Sequence, residues 1–465
     1  MSPVQLSADV DDAITHLQEL IRIPSVNPPG DPLTAAGRDS TGGETAAARY
    51  CADVLTAAGV AAEVLETITG RGSCFARIRA DRAVTSPEPP LVLLSHVDVV
   101  PVEAEAWSRD PFGGELVDGV VWGRGAVDMK DMVAMELAVM VGLQRSGVPL
   151  RRDVIFAAVA DEEAGGEHGA RHWVGARPDL FSSEAGPAAA ALNEVGGYSL
   201  RVGDRRAYAI QVAEKGIIWT RLHATGTPGH GSMPHAENAA IRLADAVARL
   251  AVAPASGDPP AVVREFFGAL GLGDVAALAP EDQDAARGAL DRAVADPTLR
   301  RSLGAMLRDT VTPTVVHVGS KVNVIPGVGS AEIDVRTLPG TDQVALLERL
   351  RDLAGPDVTV EAVMRMPAIE ADAGAPIVGL MRDALRRSDP DALALPMMIT
   401  LGTDAKALNT LGIPTYGFCP LRLEDDTPFL DLFHADDERV PVSAIQFGVP
   451  VLDEVVRRFA AAEGA

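Results

Sequence analysis

Two histidines and a small set of carboxylates stand out because each occurs where an apolar run stops. His96 and Asp98 close Leu91-Val-Leu-Leu-Ser-His-Val-Asp, so on a strand both side chains leave on the same face. A metal-bound imidazole needs its second nitrogen held by an acceptor, and a carboxylate two residues on is placed to help. Gly123-Arg-Gly-Ala-Val-Asp128-Met-Lys presents one carboxylate from a glycine-loosened loop ahead of a helix, with neither P-loop nor dinucleotide-binding spacing. Asp161-Glu162-Glu163 ends the run Val154-Ile-Phe-Ala-Ala-Val-Ala, where the mutual repulsion of three carboxylates must be offset by cations or by protonation. Glu194 closes Ala188-Ala-Ala-Ala-Leu-Asn and is followed by Gly196-Gly197, which allow close backbone approach. His434 stands in Phe433-His-Ala-Asp-Asp-Glu-Arg, ahead of the last helix.

Each piece alone has an ordinary explanation. A histidine in an apolar strand is commonly a satisfied core residue, and a lone acidic triplet is commonly solvated surface. Taken together they form an oxygen- and imidazole-rich set suited to zinc. Two histidines cannot fill one tetrahedral zinc with room for four separate carboxylates. A two-metal site with a shared carboxylate uses all of them, the ions lying about 3.5–4 Å apart around an activated water. His168 and His172 are spaced four apart, as in helical zinc proteases, but the glutamate precedes the first histidine instead of following it, and the pair reads as a helix surface.

These residues need a scaffold that brings distant strand ends together. The runs ending at His96, Asp161 and Asn193 are nearly continuous and apolar, as in parallel strands covered on both faces. Helical patterns such as Met132 to Leu143 lie between them. The fold class is therefore α/β: a mixed, mostly parallel sheet with helices on both faces, its ligand site outside the carboxyl ends of the strands. After about residue 209 the texture changes. Tyr208 to Ala224 alternates like one antiparallel strand, a helix follows over Glu237 to Ala253, and Thr314 to Thr337 reads as two strands. A helix over Thr341 to Leu353 and a strand over Val358 to Val363 complete an inserted α+β layer. The division expected is 1–209 with 366–465 as a catalytic domain and 210–365 as an insert, with a helical elaboration at about 255–313.

Composition narrows the partners. Lys+Arg number 41 against 65 Asp+Glu, a net charge of −24, and aromatics make up 4% of the chain. Phosphate backbones and anionic membrane surfaces would repel such a chain, so neither nucleic acid nor membrane is an expected partner. The three cysteines, Cys51, Cys74 and Cys419, lack CxxC spacing and read as small buried apolar residues in a reducing compartment. The N-terminal stretch is acidic and lacks both a basic and an apolar signal region, which points to a cytoplasmic location.

The set S-H-V-D-V-V-P, G-R-G-x-x-D-M-K, D-E-E and the terminal H-x-x-D-E resembles the dinuclear zinc aminoacylases, glutamate carboxypeptidases and succinyl-diaminopimelate desuccinylases. The likeness covers nearly the whole chain, including a lid domain inserted at the same place. It implies that His96 and Glu194 bind one zinc, Glu163 and His434 the other, and that Asp128 bridges them, next to a cis peptide to Met129. It further implies that Asp98 orients His96 and that Glu162 is the general base, taking a proton from the bridging water and passing it to the leaving amine. In the insert, Pro228-Gly-His230-Gly-Ser232-Met-Pro234 matches the family's lid motif, whose histidine stabilises the oxyanion. Asn323, Arg336 and Gly402 of Gly402-Thr403-Asp404 fall where the family binds substrate, Arg336 as a partner for a carboxylate.

The resemblance thus implies a hydrolase cleaving an amide or peptide bond of an N-acyl amino acid or small peptide that carries a free carboxylate. Its cofactor is a pair of zinc ions, with cobalt or manganese as alternatives, and its lid admits a homodimer. Two other readings stay open at this level: a catalytically silent metal-binding relative, and serine hydrolysis through Ser232, for which the G-x-S-x-G elbow is broken by Met233-Pro234.

Overall fold

A computed structural model describes residues 8–27, 43–81, 87–252, 256–279, 282–424, 427 and 429–462. The chain divides into two compact units. One holds the residues up to Val212, Ala371–Met397 and those from Thr403 onward; the other holds Ala213–Glu370 and Met398–Gly402.

The main sheet of the first unit runs in the order Ala62–Glu66, Gly72–Ile78, Arg152–Val159, Glu88–His96, Ala190–Asn193, Thr415–Gly417, Arg205–Glu214, Ser199–Val202. Its four central strands, from Arg152–Val159 to Thr415–Gly417, are mutually parallel. The strands outside them pair antiparallel. This is the mixed α/β sheet that the apolar runs predict. Val92, Leu94, Ile155, Ala157 and Val159 point from one face into a core with Trp173, Val174, Leu180 and Leu408. Helices Gly43–Ala57, Lys130–Ser146 and Val442–Ala460 pack on the sheet as well. Lys130–Ser146 is buried on every side from Lys130 to Leu143 and stops at Gly147, whose φ of 62° is the left-handed conformation of a helix C-terminus. A separate three-stranded ladder, Arg439–Pro441 with Val120–Trp122 and Glu115–Val117, zips the segment after His434 to the segment before Asp128.

The second unit has a four-stranded antiparallel sheet in the order Thr310–Val318, Val328–Thr337, Gly216–Thr225, Val358–Met366. Helices Ala239–Ala251 and Gln343–Ala354 cover one face, Leu243, Leu250, Leu346 and Leu350 meeting Ile218, Leu222, Ile333 and Val335. Asn238 and Asp342 cap these helices through their side chains, which accept from the backbone N–H groups of the first turn. The intervening segment carries helices Ala261–Ala269, Gly273–Ala276, Gln283–Ala293 and Pro297–Met306. Two expectations need correction. The stretch Tyr208 to Ala224 is two strands, Arg205–Glu214 and Gly216–Thr225, and the edge strand begins at Thr310, before the helical stretch was expected to end. Among the described residues, no helix is long and apolar enough to cross a membrane.

Candidate metal centre

Parallel pairing puts three carboxyl ends side by side. His96 is the last residue of its strand and lies in register with Val159, while Asp161-Glu162-Glu163 and Glu194 begin just beyond the ends of the two neighbouring strands. Asp128 arrives from the loop before helix Lys130–Ser146, and the peptide joining it to Met129 is cis. His434 arrives from the far end of the chain with a φ of 61°; Asp161 and Val195 also have positive φ, 70° and 53°. Such conformations are uncommon outside glycine, and for a β-branched residue like Val195 they are true outliers, of the kind held in place at functional sites. Gly196 is required by packing, since a Cβ there would lie 2.1 Å from the Gly417 carbonyl oxygen.

The side chains converge around Asp128. His96 Nε2 is 3.3 Å from Asp128 Oδ1 and 3.6 Å from Glu194 Oε2. His434 Nε2 is 3.1 Å from Asp128 Oδ2 and 3.1 Å from Glu163 Oε2. One carboxylate thus shows a different oxygen to each imidazole. Donor atoms of His96, Glu162 and Glu194, and of His96, Asp128 and Glu163, lie within 4.8 Å of one another, a spacing that could hold a metal ion. The His96 side chain is 1% exposed and that of His434 is 55% exposed, so the cluster opens to solvent on the His434 side.

The electrostatics are those of an acidic pocket short of positive charge. Burial, reinforced by Glu194, lifts the Glu162 carboxyl well above its ordinary range. Burial and the neighbouring Asp128 push Glu163 up to about 7, and burial raises Asp404 strongly, with Asp98 and Glu194 adding to it. Asp128 is held low despite its burial, because both histidines pair with it. His434 is raised to about 10 by Asp128 and Glu163. Burial works against a charged His96, yet Glu194, Asp128 and Asp98 together raise it well above its usual value. Two buried atoms, His96 Nε2 and Glu163 Oε1, make no hydrogen bond. A cation between these groups would satisfy the orphaned nitrogen and oxygen and offset the repulsion, so the donor set fits hard or borderline divalent ions bound through oxygen and imidazole.

A second layer fixes the donors. His96 Nδ1 is 3.0 Å from the Asp98 carbonyl oxygen and 3.4 Å from Asp98 Oδ1. The Asp98 carboxylate also accepts from Glu162 N and Glu163 N, both at 3.1 Å, and from Asn27 Nδ2 at 2.7 Å. Buried Arg71 joins Glu44 and Asp161, and Glu438 accepts from the loop that carries Asp128. Asn27, Glu44 and Arg71 escape a reading of the sequence for ligands. Glu438 closes the H-x-x-D-E motif that begins at His434, but the motif alone gives it no role.

His230, Asn323, Arg336 and Gly402 belong to the second unit. His230 pairs with Val324 in a short ladder, and Gly231 N donates to the Asn323 carbonyl at 2.9 Å, so Asn323, in the turn just before the partner strand, lies beside this segment. His230 Nδ1 accepts from Ser232 N at 3.2 Å and is 2.8 Å from Ser232 Oγ. Arg336 forms a bidentate pair with Asp334, at 2.8 and 3.1 Å. Gly402 follows the strand Leu393–Ile399. In the first unit, His172 lies in helix Ala170–Ala176 but His168 precedes it, so the two do not share a helix face. Cys51, Cys74 and Cys419 are free and buried.

Known proteins resemble the chain over most of its length. The model of peptidase family M20/M25/M40 matches residues 92–458, which spans every residue of the converging cluster. Aminoacylase-1 of Sus scrofa is 30% identical over 389 residues, covering 81% of each chain. The N-fatty-acyl-amino acid synthase/hydrolase PM20D1 of Mus musculus is 27% identical over 79% of this chain and 74% of its own. The crystal structure of an M20 family metallo-carboxypeptidase, Sso-CP2 from Sulfolobus solfataricus, superposes with a TM-score of 0.69 at 17% identity, covering 96% of this chain and 99% of that one. The chain belongs to peptidase family M20/M25/M40 and is a hydrolase of amide or peptide bonds.

Proposed function

We propose that the chain hydrolyses the amide bond of an N-acyl amino acid or small peptide with a free carboxylate, using two divalent cations, zinc by preference. The observation that carries this reading is Asp128, whose two oxygens face His96 Nε2 at 3.3 Å and His434 Nε2 at 3.1 Å. His96 with Glu194 would hold one ion, His434 with Glu163 the other, and Asp128 would be shared. Zinc bound there supplies Lewis acidity and lowers the pKa of water toward about 7. Glu162 is the proton carrier: its backbone N–H is held by Asp98, and burial raises its carboxyl toward the range of an effective general base. It takes a proton from the attacking water and returns it to the leaving nitrogen.

In the second unit, Ser232 N donates to His230 Nδ1, which puts the ring proton on Nε2 and makes that atom a donor suited to a developing oxyanion. Asn323 and Arg336 are proposed to recognise the substrate carboxylate, Arg336 exchanging its pairing with Asp334 for the ligand, and Gly402 to touch substrate from the turn Gly402-Thr403-Asp404. The edge strand Thr310–Val318 exposes Val316 and Val318, and Val322 and Val328 are exposed nearby, which supports a homodimer of the kind that the family resemblance admits. The buried free thiols are in keeping with a reducing, cytoplasmic compartment.

A panel of N-acyl amino acids and dipeptides, assayed after zinc reconstitution, tests the reaction class. Activity is expected to vanish with a chelator and return with zinc or cobalt. Glu162→Ala is expected to retain its metal content by elemental analysis while kcat falls by roughly 10²–10⁴-fold; turnover near wild type would remove Glu162 from the role. The Ser232–His230 pair is the one observation favouring serine hydrolysis, which predicts the opposite pattern: activity that survives the chelator and is lost in Ser232→Ala.

A further inference from the structure

Glu438 is an acidic residue buried completely at the back of the metal centre. The ladder between Arg439–Pro441 and Val120–Trp122 brings it there, and Gly123 N donates to its carbonyl at 2.9 Å. Its side chain then reaches into the loop ahead of Asp128. Oε2 accepts from Arg124 Nη1 at 2.7 Å and Gly125 N at 3.0 Å, and Oε1 accepts from Val127 N at 2.8 Å and Asp128 N at 3.2 Å. Arg124 turns back in the other direction. Its Nη2 donates to the His434 carbonyl at 3.3 Å, and its guanidinium lies over the Trp107 ring at 5.2 Å.

One carboxylate therefore ties together the two segments that deliver Asp128 and His434. These are also the two donors without a place at a strand end. His96 and Glu194 stand at the ends of paired parallel strands, which hold them through the sheet. His434, at a φ of 61° and more than half exposed, gets no such support.

We propose that Glu438, acting with Arg124, is the positioning residue for Asp128 and His434, and that it bears far more on the cation held by His434 than on the one held by His96 and Glu194, which the sheet anchors independently of the shared Asp128. This rests on the two-cation reading above. A glutamine at 438 keeps the acceptor facing Val127 and Asp128, but it turns an NH₂ group toward Arg124 and Gly125, where donors then oppose donors.

The test is a cobalt titration of the chelator-stripped full chain, followed by visible absorption, with thermal unfolding of the metal-free protein recorded alongside. Wild type is expected to take up two equivalents. Glu438→Gln is expected to keep one of them within about threefold and to weaken the other by about 10–100-fold, the range typical for residues behind metal ligands. Its titration and spectrum should match His434→Ala and differ from Glu194→Ala. Because the single change leaves Arg124 buried without its carboxylate, the double variant Arg124→Met/Glu438→Gln removes the pair together and is expected to show the same selective loss. Two equivalents bound as in wild type, or a parallel weakening of both, overturns the inference even if the unfolding temperature falls. A wild type that binds fewer than two equivalents overturns the two-cation reading itself, and this proposal with it.

Discussion

Asp98 does more than orient an imidazole. Its spacing from His96 suggests that one task, and the His96 ring nitrogen is in fact closer to the Asp98 carbonyl, at 3.0 Å, than to its carboxylate, at 3.4 Å. The carboxylate is spent mainly on Glu162 N, Glu163 N and Asn27 Nδ2, so it fixes the acidic turn as well as the strand end. Burial pushes its pKa up, but His96, Asn27 and the Glu163 amide more than offset this and hold it low. Asn27 is the neutral side-chain donor in that set, and this makes a prediction. Asn27→Ala should lose about 1.5–3 kcal/mol, the worth of a hydrogen bond to a charged group, read as a lower denaturant midpoint at unchanged slope. Asn27→Asp should be less stable than Asn27→Ala, because it faces Asp98 with a second carboxylate in a buried site. Equal stability of the two variants would show that Asp98 does not depend on this donor. The difference in legibility between these residues is physical. His96 and Asp98 are visible because a strand period places them on one face, whereas Asn27 meets Asp98 across 71 residues of chain, and a single asparagine has no pattern.

At the scale of elements, the strands that end in functional groups were legible because they are continuous apolar runs that stop abruptly: Glu88–His96, Arg152–Val159 and Ala190–Asn193. What periodicity could not record is a break that preserves it. The alternation from Tyr208 to Ala224 passes through Lys215, where one strand ends and the next begins. Lys215 is fully buried, and its ammonium donates to the carbonyls of Ala305 and Arg308, at 3.1 and 2.7 Å, and to Thr310 Oγ1 at 3.3 Å. It thereby caps the C-terminus of helix Pro297–Met306, where the helix dipole favours a cation. Burial nonetheless draws its pKa from 10.5 down to about 7, against the pull of Asp309. Because the folded group titrates below the unfolded one, the unfolded chain binds more protons between these two values. The Lys215 contribution to stability should therefore rise with pH from about 7 to 10.5. Urea unfolding at intervals from pH 6 to 10 should give a flatter stability profile for Lys215→Met than for wild type. Parallel profiles would mean that the buried ammonium titrates normally.

Across the whole molecule, the net charge of −24 has two distinct parts. Most carboxylates are solvated, but Asp98, Asp128, Glu162, Glu163, Glu194 and Asp404 are gathered in the first unit, with His96 and His434 as the imidazoles among them. Without cations, folding this unit brings like charges into a buried site, and the raised carboxyls of Glu162, Glu163 and Asp404 are the sign of that strain. A cation that binds the folded centre and not the unfolded chain stabilises the fold by mass action, about 2.7 kcal/mol per site at a free concentration one hundred times Kd. The effect should be confined to one unit, because the second unit contributes none of these donors. Zinc added to the chelator-stripped protein should raise the unfolding temperature. It should also slow amide exchange in the peptides spanning 88–128, 152–194 and 429–460, and leave that of 216–252 and 328–366 nearly unchanged. A uniform gain in protection across both units would mean that they unfold together, and no gain at all would mean that the buried acids are settled by protons instead of cations. Adding zinc at pH 5.5 should then shift the unfolding temperature no more than adding magnesium. If the cations are the natural counter-charge, the zinc shift should instead shrink steadily as the pH falls, since protons compete for the same oxygens and ring nitrogens.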